Sequence, residues 1–503
     1  MGIAMVASRA QIGVDAPAVT IEVFLSGGLP RFNVVGMPET AVRESGDRVR
    51  AALINSGFKY PQERITVSLA PADMRKSGGR FDLAIAIGIL TAQKVIPASA
   101  SSETEFYGEL SLNGDVRGVP GILPAALRAV GAGKAVLVPT ANADEACLAG
   151  GHVRAASTLL DVTAHLRGAK PIELLDRKVP LANVAEEDDL ADVRGQSVAR
   201  RALEIAAAGG HNLLMLGPPG TGKSMLARRL PGVLPPMSET EALETAGIDS
   251  VLGFPIDLSR WRQRPFRAPH HTASAAALVG GGPVPRPGEI SRAHNGVLFL
   301  DELPEFNRNV LEVLREPIET GTITISRAAS QADFPARFQL VAAMNPCPCG
   351  YLGDQSGECH CSRDRVANYR GKISGPLLDR IDLHVEVGRP PKSVLRDSNA
   401  SGEGSVIVRK RVCAARAIAL ERFGQCNAAL EGEQLGQACR CGEDAMDLLD
   451  NAVERFGMSV RAGHRVLRVS RTVADLAGAE TVSPEHIAEA LSFRMTGSRR
   501  SAA

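Results

Sequence analysis

The 503-residue sequence predicts an α/β protein with a parallel sheet in its central part and helices in its last part. At roughly 150 residues per domain, this length corresponds to about three domains. From residue 190, short apolar runs at 212–216, 297–300 and 338–343 alternate with helical patterns, which is typical of buried parallel strands. Hydrophobic residues are 44% and charged residues 22%, which excludes a disordered or fibrous chain.

Residues 1–170 are predicted to form a separate α/β domain because alternating and helical patterns intermingle there. A linker follows at 171–189, where an acidic run interrupts these patterns. The predicted strands are 19–24, 64–70, 105–112 and 134–139, and the predicted helices are 38–56, 82–91 and 123–131.

The central domain is predicted over 190–391, and a second linker rich in Ser, Gly and Asn over 392–405. Residues 406–503 have helical patterns only. Ser483 is suited to an N-cap, since Pro484 then occupies the first helical position. Four helices are predicted here, at 406–423, 444–455, 461–476 and 483–494.

The overall composition restricts the binding partners. The net charge is +1 and aromatics are 4%, so neither a global positive field nor rows of stacking rings gather nucleic acid, and only local basic patches remain. The longest apolar run, at 83–90, is too short to span a membrane, and the first residues do not resemble a secretion signal. Nine cysteines fit reduced thiols, so a cytoplasmic location is expected.

The strongest motif is GPPGTGKS at 217–224, between an apolar strand and a helix. Such a turn presents backbone N–H groups to phosphate oxygens at a helix N-terminus, while a lysine neutralises charge and a hydroxyl binds Mg²⁺. A nucleotide site is therefore predicted at Gly217, Pro218, Pro219, Gly220, Thr221, Gly222, Lys223 and Ser224.

Three later segments extend this prediction. GVLFLDE places Asp301 and Glu302 at a strand end, where one carboxylate binds Mg²⁺ and the other polarises water. LVAAMN ends in Asn345, an uncharged amide able to orient that water. LLDRIDL places Arg380 where it projects from a subunit surface to stabilise charge across a boundary, unless it is only a salt-bridged surface residue.

In this order, these motifs resemble the AAA+ ATPases, and RPFRAPHHTASAAALVGGG and SGPLLDRIDLHVEV resemble their magnesium-chelatase-like branch. The whole chain is similar to the ComM/YifB family. The resemblance implies a hexameric, DNA-dependent ATPase ring that promotes branch migration in natural transformation. It also implies Asn345 as a first sensor, Arg380 as an arginine finger and Arg461, in a helical lid, as a second sensor.

Two segments of the central domain are predicted to contact DNA. Residues 277–291 contain too many Gly and Pro residues for a helix interior and are expected to form a loop. Residues 321–340 are expected to form a β-hairpin with Arg327 near its tip and Arg337 on the return strand. Arg286, Arg292 or Arg327 would then follow a phosphate backbone without reading sequence, unless these are surface loops with ordinary charges.

Residues 1–170 resemble the Lon protease domain through KSGGRFDLAIAIGIL and the segment around FYGELSLNGDVRG. The catalytic Ser and Lys positions of that fold correspond to Arg80 and about Leu123. Neither residue supports that chemistry, so no peptidase activity is predicted, although Lys76 and Ser77 lie close in sequence. A role in DNA binding or ring assembly is expected instead.

Cys347, Cys349, Cys359 and Cys361 lie within 15 residues of one another, in a Gly-bearing segment. Four thiolates are able to enclose a tetrahedral Zn²⁺. Because CxC pairs are less usual than CxxC pairs in structural zinc sites, reduced thiols in a loop remain the alternative.

The sequence thus predicts an ATP- and Mg²⁺-dependent motor on duplex or branched DNA. One alternative is a magnesium-chelatase ATPase subunit, which as known lacks the Lon-like domain. The other is a regulator locked by ATP, which needs neither Glu302 nor Arg380.

Overall fold

The computed structural model describes residues 2–177, 188–282, 284–327, 330–354, 357–389 and 402–494. Parts of both predicted linkers, 178–187 and 392–401, therefore lie outside the described residues, as do residues 495–503. Contacts divide the chain into two units. Unit 1 comprises Met1–Asn183 with Ala242–Trp261, and unit 2 comprises Val184–Glu241 with Arg262–Ala503. The domain boundaries predicted above remain predictions.

Unit 1 is built on a mixed seven-stranded sheet of order β3-β4-β2-β1-β5-β6-β7. The pairs β1–β2 and β2–β4 are antiparallel, and the other pairs are parallel. The strands are β1 (Gly2–Arg9), β2 (Ala18–Ser26), β3 (Arg31–Val35), β4 (Arg64–Ala70), β5 (Thr104–Phe106), β6 (Ala135–Pro139) and β7 (Val153–Ala156).

Helix Asp82–Ala92 is buried along its whole length and packs on β1 and β2. Its Gly88 permits this close approach, because a Cβ there would lie 2.6 Å from a methyl group of Val23. The other helices of eight or more residues are Ser45–Asn55, Ile122–Gly131, Leu159–Leu166 and Glu239–Leu252, the last of which belongs to unit 1 from Ala242 onward. Short helices are Thr40–Arg43, Ala98–Ser102 and Ala143–Ala146.

Unit 2 contains a five-stranded, fully parallel sheet of order β9-β10-β11-β8-β12. The strands are β8 (Leu213–Leu216), β9 (Phe266–Arg267), β10 (Val297–Leu300), β11 (Gln339–Met344) and β12 (Leu383–Glu386). Strand β11 is buried throughout, as expected for a sheet covered on both faces. The parallel sheet predicted for the central domain is confirmed.

Helices flank this sheet and form the C-terminal part. Ser405–Phe423 and Glu443–Phe456 end at Gly424 and Gly457, whose φ angles of +69° and +58° are the left-handed conformation that stops a helix. The predicted C-terminal helices are present, and Gly432–Cys439 is an additional one. The others are Ser197–Gly209, Lys223–Val233, Ala275–Val279, Glu289–Arg292, Arg308–Val313, Arg315–Thr320, Arg363–Arg370, Gly375–Leu378, Val460–Leu476 and Pro484–Ser492.

Unit 2 also contains two β-hairpins that are not part of the five-stranded sheet. The short hairpin pairs Gly280–Gly281 with Arg286–Pro287, and the long hairpin pairs Thr322–Arg327 with Ser330–Pro335. Residues 277–291, expected as a loop because a helix interior does not accommodate their Gly and Pro residues, do separate helix Ala275–Val279 from helix Glu289–Arg292, and the short antiparallel pairing lies between the two. Two small strands of unit 1, Glu109–Leu110 and Val116–Arg117, form a further hairpin.

Within the described ranges, no helix has both the length and the apolar character required to cross a bilayer.

Candidate functional site

Three strands of unit 2 bring the predicted nucleotide-binding groups to one edge of the sheet. The segment 217–224 follows β8, Asp301 follows β10 and Asn345 follows β11, and these strands are neighbours. Carboxyl ends of parallel strands share one edge, which is where ligands bind in such sheets. A cleft of about 390 Å³ opens there, lined by Pro219, Gly220, Thr221, Gly222, Lys223, Ser224, Met225, Asp301, Glu302, Met344 and Asn345.

The Lys223 ammonium donates hydrogen bonds to three oxygen atoms at this edge of the sheet. Its Nζ donates to the carbonyl oxygens of Gly217 and Pro218 at 2.7 and 2.8 Å and to Oδ1 of Asn345 at 3.2 Å. Burial lowers the pKa of Lys223, while the charge of Asp301 opposes that change. A phosphate oxygen is the kind of acceptor that this desolvated cation favours.

Ser224 and Asp301 form an oxygen pair beside Lys223. The Ser224 hydroxyl donates to Oδ2 of Asp301 at 2.5 Å, and the Glu302 amide donates to Oδ1 of the same carboxylate at 3.0 Å. Hydroxyl and carboxylate oxygens are the hard ligands that Mg²⁺ takes together with substrate phosphates. The donor set therefore fits Mg²⁺.

Glu302 lies in a strained conformation at the mouth of the cleft. Its φ is +52°, in the left-handed region, and its side chain is 53% exposed. Strain of this kind concentrates at functional sites. His271 Nδ1 lies 3.3 Å from Oε2 of Glu302, a contact that the sequence reasoning missed because the two residues are remote along the chain.

Gln196 is a second residue that the sequence reasoning missed. Its Nε2 donates to the backbone oxygens of Thr221 at 3.2 Å and of Gly388 at 2.5 Å, so that one amide joins the phosphate-binding turn to the chain after β12. Its left-handed φ of +54° at the start of helix Ser197–Gly209 is unusual for a non-glycine residue. In the sequence, the pair Gly195–Gln196 directly before helix Ser197–Gly209 was the only signal that could have pointed to this residue.

Arg380 and Arg461 do not line this cleft in their own chain. Arg380 is 9% exposed, and it donates to the Pro376 carbonyl and pairs with Glu319 at 2.5 Å. Instead of projecting from the surface as expected, it is held inward. Arg461 is exposed near the start of helix Val460–Leu476. The catalytic roles predicted for both residues remain predictions.

A buried ion pair joins the C-terminal helices to the sheet. Asp382 accepts from Arg465 Nη1 and from the Asn212 amide, both at 3.1 Å. Burial would raise the pKa of Asp382, but the hydrogen bond and charge of His211, with the charge of Arg465, lower it to about 2. This pair fixes helix Val460–Leu476 to the residue that precedes β12.

The arginines predicted to contact DNA are placed differently from one another. Arg286 is exposed in the short hairpin, whereas Arg292 is half-buried and pairs with Glu289 at 3.0 Å. Arg327 ends the first strand of the long hairpin and pairs in register with Ser330. Arg337 lies two residues beyond the return strand, where its amide donates to His294. The two hairpins contact each other, since a Cβ on Gly280 would lie 2.8 Å from Cδ1 of Ile325.

In unit 1, the two positions compared with the Lon dyad are both buried. Arg80 is 4% exposed and donates to the backbone oxygens of Arg9 and Pro120, and Leu123 is fully buried. Burial lowers the pKa of Arg80 to about 10. The Lys76 ammonium donates to the Pro71 carbonyl. The resemblance to the Lon domain remains a prediction.

The four clustered cysteines come together in space. Their sulfur atoms all lie within 4.8 Å of one another, and Cys347 is buried while Cys349 is exposed. A backbone N–H of Tyr351 donates to the Cys349 sulfur and lowers the pKa of that thiol to about 6.

Comparison with known proteins agrees with this architecture. A family model described as "Magnesium chelatase, subunit ChlI" matches residues 189–395. Models described as "Subunit ChlI of Mg-chelatase" and "Magnesium chelatase, subunit ChlI C-terminal" match residues 21–142 and 402–494.

Relatives of similar length align over nearly the whole chain. The competence protein ComM of Haemophilus influenzae is 51% identical over 500 residues, 98% of each chain. The protein YifB of Salmonella typhimurium is 48% identical over 504 residues, covering 98% of this chain and 97% of YifB. The magnesium-chelatase 38 kDa subunit of Cereibacter sphaeroides is 26% identical over 322 residues, covering 58% of this chain and 86% of that subunit. The chain therefore belongs to the ComM/YifB family of magnesium-chelatase-like AAA+ proteins.

Proposed function

We propose that this protein is an ATPase whose subunits assemble into a hexameric ring and use ATP hydrolysis to move along duplex or branched DNA. The observation that carries the ATPase part is the cleft in which Lys223, the Ser224–Asp301 pair and Asn345 converge. The motor part is supported by relatives of the same length, one of which is named for competence, the uptake of DNA by bacteria.

In this proposal, residues 217–224 bind the phosphates of ATP. Backbone N–H groups of the turn and the Lys223 ammonium neutralise phosphate charge, while Ser224 and Asp301 hold Mg²⁺. Bound Mg²⁺ supplies electrostatic stabilisation of the transferred phosphoryl group. The donor set at the carboxyl ends of β8 and β10 is suited to both tasks.

Glu302 is the residue that we propose to accept a proton from the attacking water. Its half-exposed carboxylate lies at the mouth of the cleft, and His271 at 3.3 Å holds that carboxylate in place. Asn345 orients the same water through its amide, whose Oδ1 accepts a hydrogen bond from Lys223 at 3.2 Å. These are positioning and proton-transfer roles.

Arg380 is proposed to complete the site of a neighbouring subunit as the arginine finger. In the single chain its guanidinium is paired with Glu319, so assembly must exchange this partner for the phosphate of the adjacent subunit. Arg461, exposed on the lid, is proposed to sense the bound nucleotide. Ring formation would thus be required for turnover.

The two hairpins are the proposed DNA contact. Arg286 is exposed, and Arg327 is the last residue of the first strand of the long hairpin, whereas the ion pair with Glu289 makes Arg292 less available. Six copies of each hairpin would supply the local positive charge that a net charge of +1 does not.

A magnesium-chelatase ATPase subunit is the second candidate, favoured by the description of all three matching family models. Because one of these models matches residues 21–142, the N-terminal domain by itself does not exclude this candidate. The length does favour the motor, since the chelatase 38 kDa subunit aligns with 58% of this chain and ComM with 98%.

The deciding experiment measures ATP hydrolysis by the full chain with single-stranded, duplex and four-way-junction DNA. We expect stimulation by duplex and junction DNA, strongest for the junction. The Arg286→Ala and Arg327→Ala double variant should lose that stimulation, whereas Arg455→Ala, an exposed arginine of the lid, should keep it. An ATP hydrolysis rate that none of these DNAs changes would refute the proposed DNA motor and leave the magnesium-chelatase subunit as the remaining hypothesis.

A further inference from the structure

We infer that Cys347, Cys349, Cys359 and Cys361 bind one zinc ion as a tetrathiolate site, and that the metal-bound loop braces the nucleotide cleft. This inference goes beyond the proposed function, because it concerns a second site and stands on different atoms.

The first argument is the spacing of the sulfur atoms. Cys347 lies 3.3 Å from Cys349 and 3.8 Å from Cys359, and Cys349 lies 3.6 Å from Cys359. Cys361 is within 4.8 Å of all three. A tetrahedron of sulfurs at Zn–S distances of about 2.3 Å has edges of about 3.8 Å. The four sulfurs thus already lie close to the corners that a single ion requires.

The same sulfur–sulfur distances distinguish a zinc site from a disulfide and from an iron–sulfur cluster. A disulfide would need sulfurs about 2.05 Å apart, well below the measured separations. An iron–sulfur cluster distributes its four cysteines over two or four iron atoms, so that sulfurs bound to different irons lie farther apart than sulfurs bound to one ion. With a multi-iron cluster set aside by these separations, four soft ligands in tetrahedral geometry around one centre favour Zn²⁺.

Backbone hydrogen bonds provide a second argument. The amide of Tyr351 donates to the Cys349 sulfur, that of Cys361 to the Cys359 sulfur, and that of Cys349 to the Cys361 sulfur. N–H groups directed at sulfur orient the side chain, as hydrogen bonds do for the ligands of metal sites. Three of the four ligands are therefore oriented by the chain itself.

The cysteine loop also contacts the nucleotide cleft. Gly350, between the second cysteine and Tyr351, adopts φ +88°, and a Cβ there would lie 2.6 Å from Cδ of Pro219 and 3.9 Å from the Asn345 side chain. On its other side, Arg370 donates to the Pro346 carbonyl at 3.1 Å, next to Cys347. A metal that fixes this loop consequently fixes the phosphate-binding turn and the residue that orients water.

Metal content tests the site. The full chain, purified from zinc-supplemented medium without chelator or polyhistidine tag, should contain about one zinc per chain by mass spectrometry. Replacement of the metal by Co²⁺ in the folded protein should give thiolate-to-cobalt charge-transfer absorption and the visible bands of tetrahedral cobalt. Metal-free protein that gives no such spectrum would overturn the inference, whatever its ATPase activity.

Cysteine variants assign the ligands. The Cys359→Ser and Cys361→Ser double variant should lose the zinc, whereas Cys413→Ser, a cysteine in helix Ser405–Phe423, should retain it. The folded state of each variant is checked by circular dichroism, and the cobalt spectrum of the unaltered chain keeps the test valid if the double variant fails to fold. Retention of zinc by a folded double variant would contradict the assignment.

A matched pair of glycine substitutions tests the bracing. Gly350→Ala introduces a Cβ against Pro219, whereas Gly357→Ala, at φ +68°, introduces one into open space in the same loop. Since both positions have positive φ, the difference isolates the contact. We expect about fivefold weaker binding of a fluorescent ADP analogue for Gly350→Ala alone, with zinc content unchanged. Equal affinities would refute the bracing.

Discussion

The polar centre of unit 1 and the nucleotide cleft of unit 2 use similar residues in opposite ways. In unit 1, Arg9 donates twice to the Glu105 carboxylate, both times at 2.9 Å, and the Tyr107 hydroxyl donates to the same carboxylate. In unit 2, Glu302 is 53% exposed at an open cleft of about 390 Å³, and Lys223 lines that cleft even though its Nζ donates to three protein oxygens. Polar groups that are saturated by protein partners and closed off from solvent stabilise a fold, whereas polar groups that line an open cleft are available to a ligand.

The largest expected effect is a loss of ATP hydrolysis in the nucleotide cleft of unit 2. Glu302→Gln removes the proposed proton acceptor while keeping the size of the side chain, so hydrolysis of ATP should fall by about 10²- to 10³-fold. The affinity for ATP should stay nearly unchanged, because Lys223 and Asp301 remain. Phosphate release and equilibrium binding of a fluorescent ATP analogue measure the two quantities.

The matched control for that variant is Glu305→Gln, an exposed carboxylate three residues away that pairs with Lys372 at 3.4 Å. It should retain turnover. Hydrolysis at the unaltered rate in Glu302→Gln would show that the proton acceptor is a different residue.

The next largest effect concerns the stability of unit 1, whose buried polar groups are saturated by protein partners. Arg80→Leu leaves the backbone oxygens of Arg9 and Pro120 without their donor in a buried position, and we expect a loss of about 3 kcal/mol in the free energy of unfolding of unit 1. Trp261 is the single tryptophan, it is 4% exposed, and it belongs to unit 1, so its fluorescence during urea unfolding reports on that unit.

The exposed Arg75 offers the control for this measurement, and Arg75→Leu should change the stability by less than about 0.5 kcal/mol. Nucleotide affinity should be the same in both variants. If Arg80→Leu weakened nucleotide binding and left stability intact, the distinction drawn between the two units would be wrong.

The smallest expected effect is an opposite response of the two units to pH. In unit 1, burial raises the pKa of Asp82 to about 6, although Arg48 at 2.7 Å opposes the rise. Between pH 6 and 4 the folded unit therefore binds a proton that the unfolded chain does not, and acidification stabilises it. In unit 2, burial and the charge of Arg494 lower the pKa of His384 to about 4, so acidification from pH 6.5 to 4 destabilises it.

Each slope is at most about 1.4 kcal/mol per pH unit. Relative to the unaltered chain, Asp82→Asn should remove the stabilisation at low pH that Trp261 fluorescence detects. His384→Gln should remove the acid sensitivity of the remaining transition, followed by circular dichroism. Parallel pH profiles for variant and unaltered chain would contradict the assigned titrations.

The sequence predicted the parts of the fold that depend on local signals. The GPPGTGKS turn and the apolar runs before Asp301 and Asn345 have short-range patterns, and the structure places them at one sheet edge. Strands β1 and β3 were missed. The segment GIAMVASR pairs with β5 as well as with β2, and RFNVV pairs with β4, so that each has a partner far along the chain.

The candidate site was predictable to the same extent. The contacts of His271 with Glu302 and of Arg465 with Asp382 join residues far apart in sequence, for which a single chain contains no pattern. The partner of Arg380 could not be predicted either, since its ion pair with Glu319 depends on how helix Arg315–Thr320 packs.

Unit 1 is made of two segments that are separated in sequence, which limits the fragments of this protein that can fold alone. The chain passes from one unit to the other three times, at 183/184, 241/242 and 261/262. Within unit 1, Ser250 from the returning segment accepts from the Gly121 amide at 2.8 Å and from the Leu123 amide at 3.2 Å. A fragment ending at residue 183 therefore lacks part of its own interior, and the first 183 residues are not an independently transferable module. Fusion of residues 242–261 to this fragment through a linker is the route to an intact isolated unit 1.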